Sequence, residues 1–315
     1  AIAPGLVAHS KCPGCDLKII DGSSLTVGDF EAHWQKEPVV LTGLDRGSEW
    51  AANWTRQQLL AFAGDVQVRM RDSFAMAVSG TNTTVYKSLT FREYLLDLES
   101  QVDPVFENNA TMASELVDIL QPNFEVPELV RHITQYRLLS IGPARSGLPL
   151  HRHEESWLAQ IVGRKAWLLK PPHLSRAEIR PDLVCKDVLA APATPKSPRD
   201  GFRCIQNPGE LFWVPAHWYH ATCNLDDFSA GVGGQGNISG WSSAHIAASS
   251  GNLQAFRAAI ATDNSAANSQ DHPTAMTPLC IAARMARVEM LRALINASAD
   301  VNIRDTDMKG SAISW

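Results

Sequence analysis

Two histidines separated by one residue, His151 and His153, are the first candidates for chemistry in this 315-residue chain. Successive side chains of a β-strand point to opposite faces, so residues two apart face the same way. On a strand, the two imidazoles would converge on one cavity, where they are natural ligands for a divalent transition metal. Because isolated pairs of this kind are common on protein surfaces, a further ligand is needed to decide.

A third histidine lies in a second segment, residues 208–225, which reads PGELFWVPAHWYHATCNL. The apolar run 211–215 predicts a strand that ends in a proline turn, and His220 lies five residues after Pro215. In a barrel, such a turn can bring His220 against the first pair. His217 is nearer the turn, and we expect it to be exposed.

The elements around these motifs are typical of a small β-barrel or jelly roll. From residue 138 to residue 237, short apolar runs are separated by glycine and proline. The segment 190–203 is rich in Pro, Ala, Ser and Thr, and we expect an exposed insert there. The predicted strands are residues 138–141, 157–162, 166–170, 211–215 and 230–232.

Helices and strands of a different pattern precede the barrel. Thr26 and Thr90 are predicted N-caps of two helices, because each stands directly before a helix-like apolar pattern, and a further helix is predicted to open at Trp54-Thr55. Residues 1–23 are expected to be a loop-like extension. The predicted helices are residues 27–34, 54–60 and 91–98, and the predicted strands are residues 38–43 and 66–70.

Taken together, residues 20–240 resemble the JmjC (jumonji, cupin-type) family of Fe(II)- and 2-oxoglutarate-dependent oxygenases. The motifs that carry the resemblance are His-x-His at 151–153, Gly-Arg-Lys at 163–165, the lead Cys-x-x-x-x-Gly-Glu at 204–210 and the histidine after the proline turn. The resemblance implies a mainly β fold, a double-stranded β-helix of the cupin type with flanking N-terminal helices.

The resemblance also implies a metal site formed by His151, His153 and His220. The family's first motif is His-x-Asp/Glu, so His153 replaces the usual carboxylate. Glu154 follows directly and is the alternative third ligand, if a bulge lets it reach the ion. Three neutral imidazoles compensate less of the charge of Fe(II), which bears on turnover more than on metal binding.

The cosubstrate implied by the resemblance is 2-oxoglutarate, which chelates iron through its keto acid end. Its far carboxylate needs a cation, and Lys165 is the candidate for that charge-assisted contact. Gln235 stands where the family carries a polar cosubstrate-binding residue on a closing strand. No catalytic side chain is expected beyond the metal site.

Three functions remain open. The first is an oxygenase that hydroxylates a protein side chain, favoured over a histone demethylase because no chromatin-reader module or basic tail is present. The second is a catalytically inactive, metal-binding cupin that acts as a protein-interaction module, which the substitution at His153 favours. The third is a cupin enzyme with a multi-histidine site and no cosubstrate, for which Lys165 would be irrelevant.

A repeat begins after Gly240. The segments SSAHIAA at 242–248 and TPLCIAA at 277–283 are 35 residues apart, and a third copy would start at Gly310. Period and phrase resemble ankyrin repeats, which bind proteins on a concave surface. We therefore expect three regions: an extension over 1–23, the JmjC/cupin-like domain over 24–239, and about two ankyrin repeats over 240–315. Because the chain begins with Ala1 and stops inside a repeat, we expect a fragment or a processed form.

Composition limits the partners. The net charge of −5 and pI of about 6.1 lack the basic excess of a nucleic-acid binder, so no nucleic acid is predicted. No run of about 18 apolar residues is present, so no membrane span is predicted. We expect the partners to be a protein substrate and a protein bound by the ankyrin segment.

Ankyrin repeats and glycosylation sequons give conflicting indications of the compartment, and the cysteines do not decide between them. Cys12 and Cys15 form a CxxC, which is open to a zinc site, a disulfide or redox pair, or two unlinked thiols. Ankyrin repeats are typical of the cytosol or nucleus, whereas sequons indicate the endoplasmic reticulum lumen, and both remain open. The Asn-x-Ser/Thr sequons are at Asn53, Asn82, Asn109, Asn237 and Asn296.

Overall fold

The chain folds into two units, residues 1–236 and residues 237–315, and each has a hydrophobic core of its own. A computed structural model describes most of both. The described residues are 15–45, 49–71, 86–108, 114–172, 184–185, 201–236, 241–271, 275–284, 287–306 and 310–314.

The first unit contains a seven-stranded sheet, a three-stranded sheet and a two-stranded sheet. Its strands are β1 (Lys18–Asp21), β2 (Val39–Thr42), β3 (Gln67–Arg71), β4 (Tyr86–Thr90), β5 (Val105–Asn108), β6 (Tyr136–Gly142), β7 (Ser156–Val162), β8 (Lys165–Lys170), β9 (Phe202–Gln206), β10 (Leu211–Val214), β11 (Tyr219–Asn224) and β12 (Ser229–Gln235). The larger sheet has the order β1-β2-β10-β7-β12-β6-β5, the smaller sheet has the order β11-β8-β9, and β3 pairs with β4. Most neighbours are distant in sequence, as in a jelly roll, so the predicted fold class is confirmed.

The larger and the smaller sheet face each other across an apolar interior. Trp167 of β8 stacks on Phe212 of β10, with ring centroids 4.2 Å apart. On its other face the larger sheet is also covered, since Trp157 and Ile161 of β7 belong to the main core, which includes residues of the N-terminal helices. Because β7 is buried on both faces, its sequence is a nearly continuous apolar run rather than an alternating one.

Short helices cover the outer face of the larger sheet. Thr26 and Thr90, the predicted N-caps, each accept a hydrogen bond from the N–H three residues later and form a reciprocal capping box, and Thr55 at the start of the second helix does the same. These three predicted helices are confirmed. The helices are α1 (Val27–His33), α2 (Arg56–Ala63), α3 (Phe91–Leu96), α4 (Glu115–Leu120) and α5 (Glu128–Arg131).

Some predicted loops are strands. The expectation of a loop through residue 23 is wrong for β1, which pairs in parallel with β2. The expected insert over 190–203 is wrong at its end, where β9 begins at Phe202, and residues 190–200 lie outside the described part of the chain. These strands have only four or five residues, too few to display a periodic pattern, and pairing with a neighbour decides them.

Disulfides secure both outer strands of the smaller sheet. Cys15 is linked to Cys204 of β9, and Cys185 is linked to Cys223 of β11. The zinc, local-pair and unlinked-thiol interpretations of the CxxC are therefore wrong for Cys15, because its partner lies 189 residues away in the sequence. Cys12 lies outside the described residues.

The second unit consists of helix pairs at the spacing of the repeats. Gly251 ends the first helix in a left-handed conformation with φ 73°, a conformation that glycine adopts without steric cost. The helices are α6 (Ser243–Ser250), α7 (Leu253–Thr262), α8 (Pro278–Arg284) and α9 (Val288–Asn296). Over the described residues, none of the helices is both long enough and apolar enough to cross a membrane.

Candidate metal centre

Backbone pairing brings the two histidine motifs together. His151 and His220 form an antiparallel bridge in which the N–H of each donates to the carbonyl of the other, at 3.0 and 2.8 Å. The N–H of His217 donates to the carbonyl of His153 at 2.7 Å. His220 is the second residue of β11, so this strand fixes the position of the histidine that follows the proline turn.

Hydrogen bonds to backbone carbonyls set the tautomer of all three imidazoles. The Nδ1 atoms of His151, His153 and His220 lie 2.7, 2.8 and 2.9 Å from the carbonyl oxygens of Pro149, Glu154 and Trp218. A carbonyl oxygen only accepts, so each Nδ1 carries the proton and donates it. Each neutral imidazole then carries its lone pair on Nε2, which is the form that binds a metal.

The spacing of these nitrogens fits a divalent ion. The three ligand atoms lie within 4.8 Å of one another, and the Nε2 atoms of His153 and His220 are 3.1 Å apart. With bonds of about 2.1 Å, adjacent ligands of an ion are roughly 3.0 Å apart in an octahedron and roughly 3.4 Å apart in a tetrahedron. Two lone pairs facing each other at this distance repel, and a cation between them removes the repulsion.

Burial keeps His220 neutral. This residue is 4% exposed, and burial, followed by the proximity of His151 and His153, lowers its pKa well below the ordinary value. The cost of placing a charged imidazole in a low-dielectric interior is the physical cause. At neutral pH, protons therefore compete little with a metal ion for Nε2 of His220.

The third position of the cluster is His153 and not the neighbouring carboxylate. Among the described residues, His151, His153 and His220 form the group with metal-ligand spacing, and Glu154 does not belong to it. Glu154 is buried, at 8% exposed, and its charge acts on Tyr136. The geometry thus favours His153 as third ligand, and its role in binding remains a prediction.

Lys165 lies inside the barrel. Its side chain is 1% exposed, and Nζ donates to Asn224 Oδ1 at 2.7 Å and to Ser140 Oγ at 3.0 Å. Both acceptors are neutral, and burial lowers the pKa of Lys165 to about 7. A buried amine with neutral partners is suited to receive a carboxylate, which would restore its charge.

Gln235 contacts the cluster directly. Its Nε2 lies 3.2 Å from Nε2 of His153, and the side chain is 8% exposed. Gln235 ends β12, where it pairs with Tyr136 of β6 and Ser156 of β7. The amide therefore lies at the edge of the position that an ion between the imidazoles would take, within reach of a ligand on that ion.

The expectation that His217 is exposed is wrong. This residue is 8% exposed and has a positive φ of 66°, which is uncommon for a residue with a side chain. The turn that carries it hydrogen-bonds to the His153 backbone, so the chain has to fold inward at this point. The proline in the sequence signals the turn, but not its burial.

Comparison with known proteins identifies the family of this chain. The model of the cupin-like domain matches residues 30–233, well over half of the chain, and covers all three histidines and Lys165. The chain belongs to this JmjC-type cupin family. The model of ankyrin repeats matches residues 219–305. Residues 219–235 of that match form β11 and β12, so the helical repeats begin at Ser243.

Named relatives of this JmjC protein differ in their activities. JmjC domain-containing protein 8 of Homo sapiens is 34% identical over 71% of this chain and 84% of its own length. The bifunctional arginine demethylase and lysyl-hydroxylase psr-1 of Caenorhabditis elegans is 26% identical over 66% of this chain and 58% of its own. The arginine-specific demethylase JMJ20 of Arabidopsis thaliana is 35% identical over 67% and 55%. The family is one of 2-oxoglutarate oxygenases, and hydroxylases and demethylases both occur among these relatives.

Two residues near Lys165 were not found by reading the sequence. Asn224 is fully buried, accepts from Lys165 and donates from Nδ2 to Ser146 Oγ at 3.0 Å. Ser140 lies on β6 and accepts the second bond of Lys165. Asn224 is four residues after His220, so both side chains face the same side of β11. The two-residue period of a strand could therefore have indicated that Asn224 points into the barrel. Ser140 comes from a distant strand, and the sequence carries no signal for it.

Proposed function

We propose that this protein is an Fe(II)- and 2-oxoglutarate-dependent oxygenase that hydroxylates a protein side chain. The observation that carries the proposal is the set of three neutral imidazoles whose Nε2 atoms converge. The buried amine of Lys165 in the same barrel supports it, because an amine with neutral partners is suited to bind a dicarboxylate.

Each side chain has a defined task in this proposal. His151, His153 and His220 hold the ion and keep their Nδ1 protons on backbone carbonyls, so that no proton competes for Nε2. Lys165 binds the far carboxylate of 2-oxoglutarate, and Gln235 donates a hydrogen bond to the end nearer the ion. Iron held by these residues would supply the redox chemistry of the reaction.

Hydroxylation is preferred to demethylation as the outcome. The net charge of −5 gives this chain no general attraction for nucleosomal DNA. The ankyrin segment offers a surface for a protein instead, through which it would recruit the substrate or anchor the enzyme.

Succinate production tests the proposal. The purified protein loaded with Fe(II) is incubated with 2-oxoglutarate in air, beside a His220→Ala variant. We expect succinate from the parent protein and none from the variant, because His220 is the most buried of the three ligands. An Asn264→Gln variant, changed at an exposed residue of the other unit, is the matched control and should behave as the parent does.

A second candidate is a metal-binding cupin without turnover that serves as an interaction module. The absence of a carboxylate from the three-residue cluster favours it, because less of the ion's charge is compensated. It predicts binding of iron and 2-oxoglutarate with no succinate, either alone or with candidate substrate peptides. Equal succinate from the parent and His220→Ala proteins would count against both candidates.

A further inference from the structure

Cysteine pairing in the first unit depends on oxidising conditions. Among the described residues of that unit, all four cysteines are in disulfides, whereas the thiol of Cys280 in the other unit is free and buried. One of the links joins positions 189 residues apart and the other positions 38 residues apart. Bonds of this kind are rare in the cytosol, where thiols are kept reduced, and are typical of secretory compartments.

In the same unit, an asparagine of a glycosylation sequon is exposed. Asn53, of the sequence Asn-Trp-Thr, ends a short 3-10 helix between two buried tryptophans, Trp50 and Trp54. The tryptophans anchor the backbone, and the asparagine side chain faces solvent. It lies at a groove of about 950 Å³, which leaves room for the first sugars of a glycan.

We propose that this protein folds in the oxidising lumen of the secretory pathway and carries an N-linked glycan on Asn53. Disulfides and sequon are independent observations, and disulfide formation and N-glycosylation both take place in that compartment. Of the other sequons, Asn82, Asn109 and Asn237 lie outside the described residues, and Asn296 belongs to the unit without disulfides. The inference does not depend on the metal chemistry proposed above.

The covalent steps balance with reagents of that compartment. Each disulfide forms by exchange with an oxidised dithiol protein, which takes up two electrons and two protons from the cysteine pair. In the glycosylation, Nδ2 of Asn53 forms a bond to the anomeric carbon of a lipid diphosphate oligosaccharide. The bond between that carbon and the diphosphate oxygen breaks, and the lipid diphosphate leaves with the amide proton taken up by the transferase.

Peptide mass spectrometry of the protein from its own cells tests both parts. Arg46 and Arg56 bracket Asn53, so trypsin releases it in the peptide 47–56. We expect this peptide only after treatment with an N-glycanase, which leaves aspartate at the site, together with cross-linked peptides for Cys15–Cys204 and Cys185–Cys223. Recovery of the unmodified peptide without glycanase would overturn the glycan, and free thiols at these cysteines would overturn the compartment.

Two substitutions of Thr55 separate its role in the sequon from its role as the helix N-cap. Thr55 caps α2 and also supplies the hydroxyl of the sequon. In the full chain expressed behind a secretory leader, Thr55→Ser should keep the glycan, and Thr55→Asp should lose it while retaining a good cap. Asn53→Gln should lose one glycan, and Asn264→Gln should lose none. If Asn53→Gln migrates like the parent protein, Asn53 is not the acceptor.

Discussion

At the scale of single residues, the site differs from a two-histidine, one-carboxylate centre by one side chain. His153 stands in the position of the carboxylate, and its Nε2 lies 3.1 Å from that of His220. Its Nδ1 proton is donated to the carbonyl of Glu154, which orients the ring. The carboxylate of Glu154 is buried next to the site but outside the cluster, so the two residues can be separated by substitution.

We predict that His153→Ala weakens binding of a divalent metal by at least about 10-fold, because loss of a ligand should cost no less than loss of an outer-shell partner. Glu154→Gln should leave metal affinity within a factor of about two. Titration of the metal-free protein with Fe(II) under nitrogen, in competition with a chromophoric chelator, measures both. If only Glu154→Gln lost metal affinity, Glu154 and not His153 would be the third ligand.

The buried amine of Lys165 should make stability depend on pH. Its pKa of about 7 lies below the ordinary value of 10.5. Below pH 7 the amine is charged in both states and the full cost of its burial is present. As pH rises from about 7 to 10.5 the unfolded chain binds more protons, so this cost is relieved and stability increases.

We therefore predict that the free energy of unfolding of the parent protein, relative to that of Lys165→Met, rises between pH 7 and 9. Denaturant unfolding at several pH values measures the difference. In addition, Lys165→Met should lose at least about 10-fold in affinity for 2-oxoglutarate, since a charge-assisted contact is removed. A variant that binds 2-oxoglutarate normally would show that Lys165 has another role.

At the scale of elements, the smaller sheet carries both a proposed metal ligand and the lysine proposed to bind the cosubstrate. β8 carries Lys165, β11 carries His220, and the two strands pair over six residues, from Lys165 with Asn224 to Lys170 with Tyr219. The outer strands β9 and β11 are each attached by a disulfide to another segment. The distance between His220 and Lys165 along the barrel thus depends on a sheet that is covalently secured at both edges.

We predict that removing either disulfide destabilises the first unit. On the chain-entropy argument, closing loops of these lengths stabilises by roughly 4 to 5 kcal/mol each, an upper estimate because native strain and residual structure reduce it. Urea unfolding of paired Cys15→Ala/Cys204→Ala and Cys185→Ala/Cys223→Ala variants measures the change. A Cys280→Ala variant is the control with no disulfide to lose, and equal stability of all three variants would contradict the prediction.

At the scale of the whole molecule, the two units have separate cores. The core of the second unit is built from small residues of the repeat helices, among them Ala244, Ala248 and Ala282, with Leu279 and Leu294. Every residue of the histidine cluster and the environment of Lys165 belong to the first unit. The ankyrin segment should therefore contribute to the choice of a protein partner rather than to the metal centre.

We predict that a chain ending at residue 240 binds Fe(II) and 2-oxoglutarate with affinities within about two-fold of the full chain. The physical reason is that no side chain of the proposed site is removed. Calorimetric titration of both proteins under nitrogen gives the comparison. A drop of 10-fold or more in the shortened chain would mean that the repeats are needed to form the metal centre.

Local physics determined much of this protein from the sequence alone. The helices that follow Thr26, Thr55 and Thr90 were predictable because a capping box is a contact within four residues. Buried strands such as β7 and β8 were predictable because burial on both faces requires an apolar run. His151, His153 and His220 could be named because the family pattern joined them, although His153 does not lie on the strand that was expected to carry it.

Only the tertiary structure decided which distant segments meet. The partner of Cys15, the burial of His217 and the contact of Ser140 with Lys165 each depend on strand pairing between segments far apart in the chain. The spacing that favours His153 over Glu154 also required three dimensions, because residues 152–155 leave the strand pattern and period no longer fixes their direction. Sequence patterns report local geometry, whereas these features arise from long-range packing that no local pattern encodes.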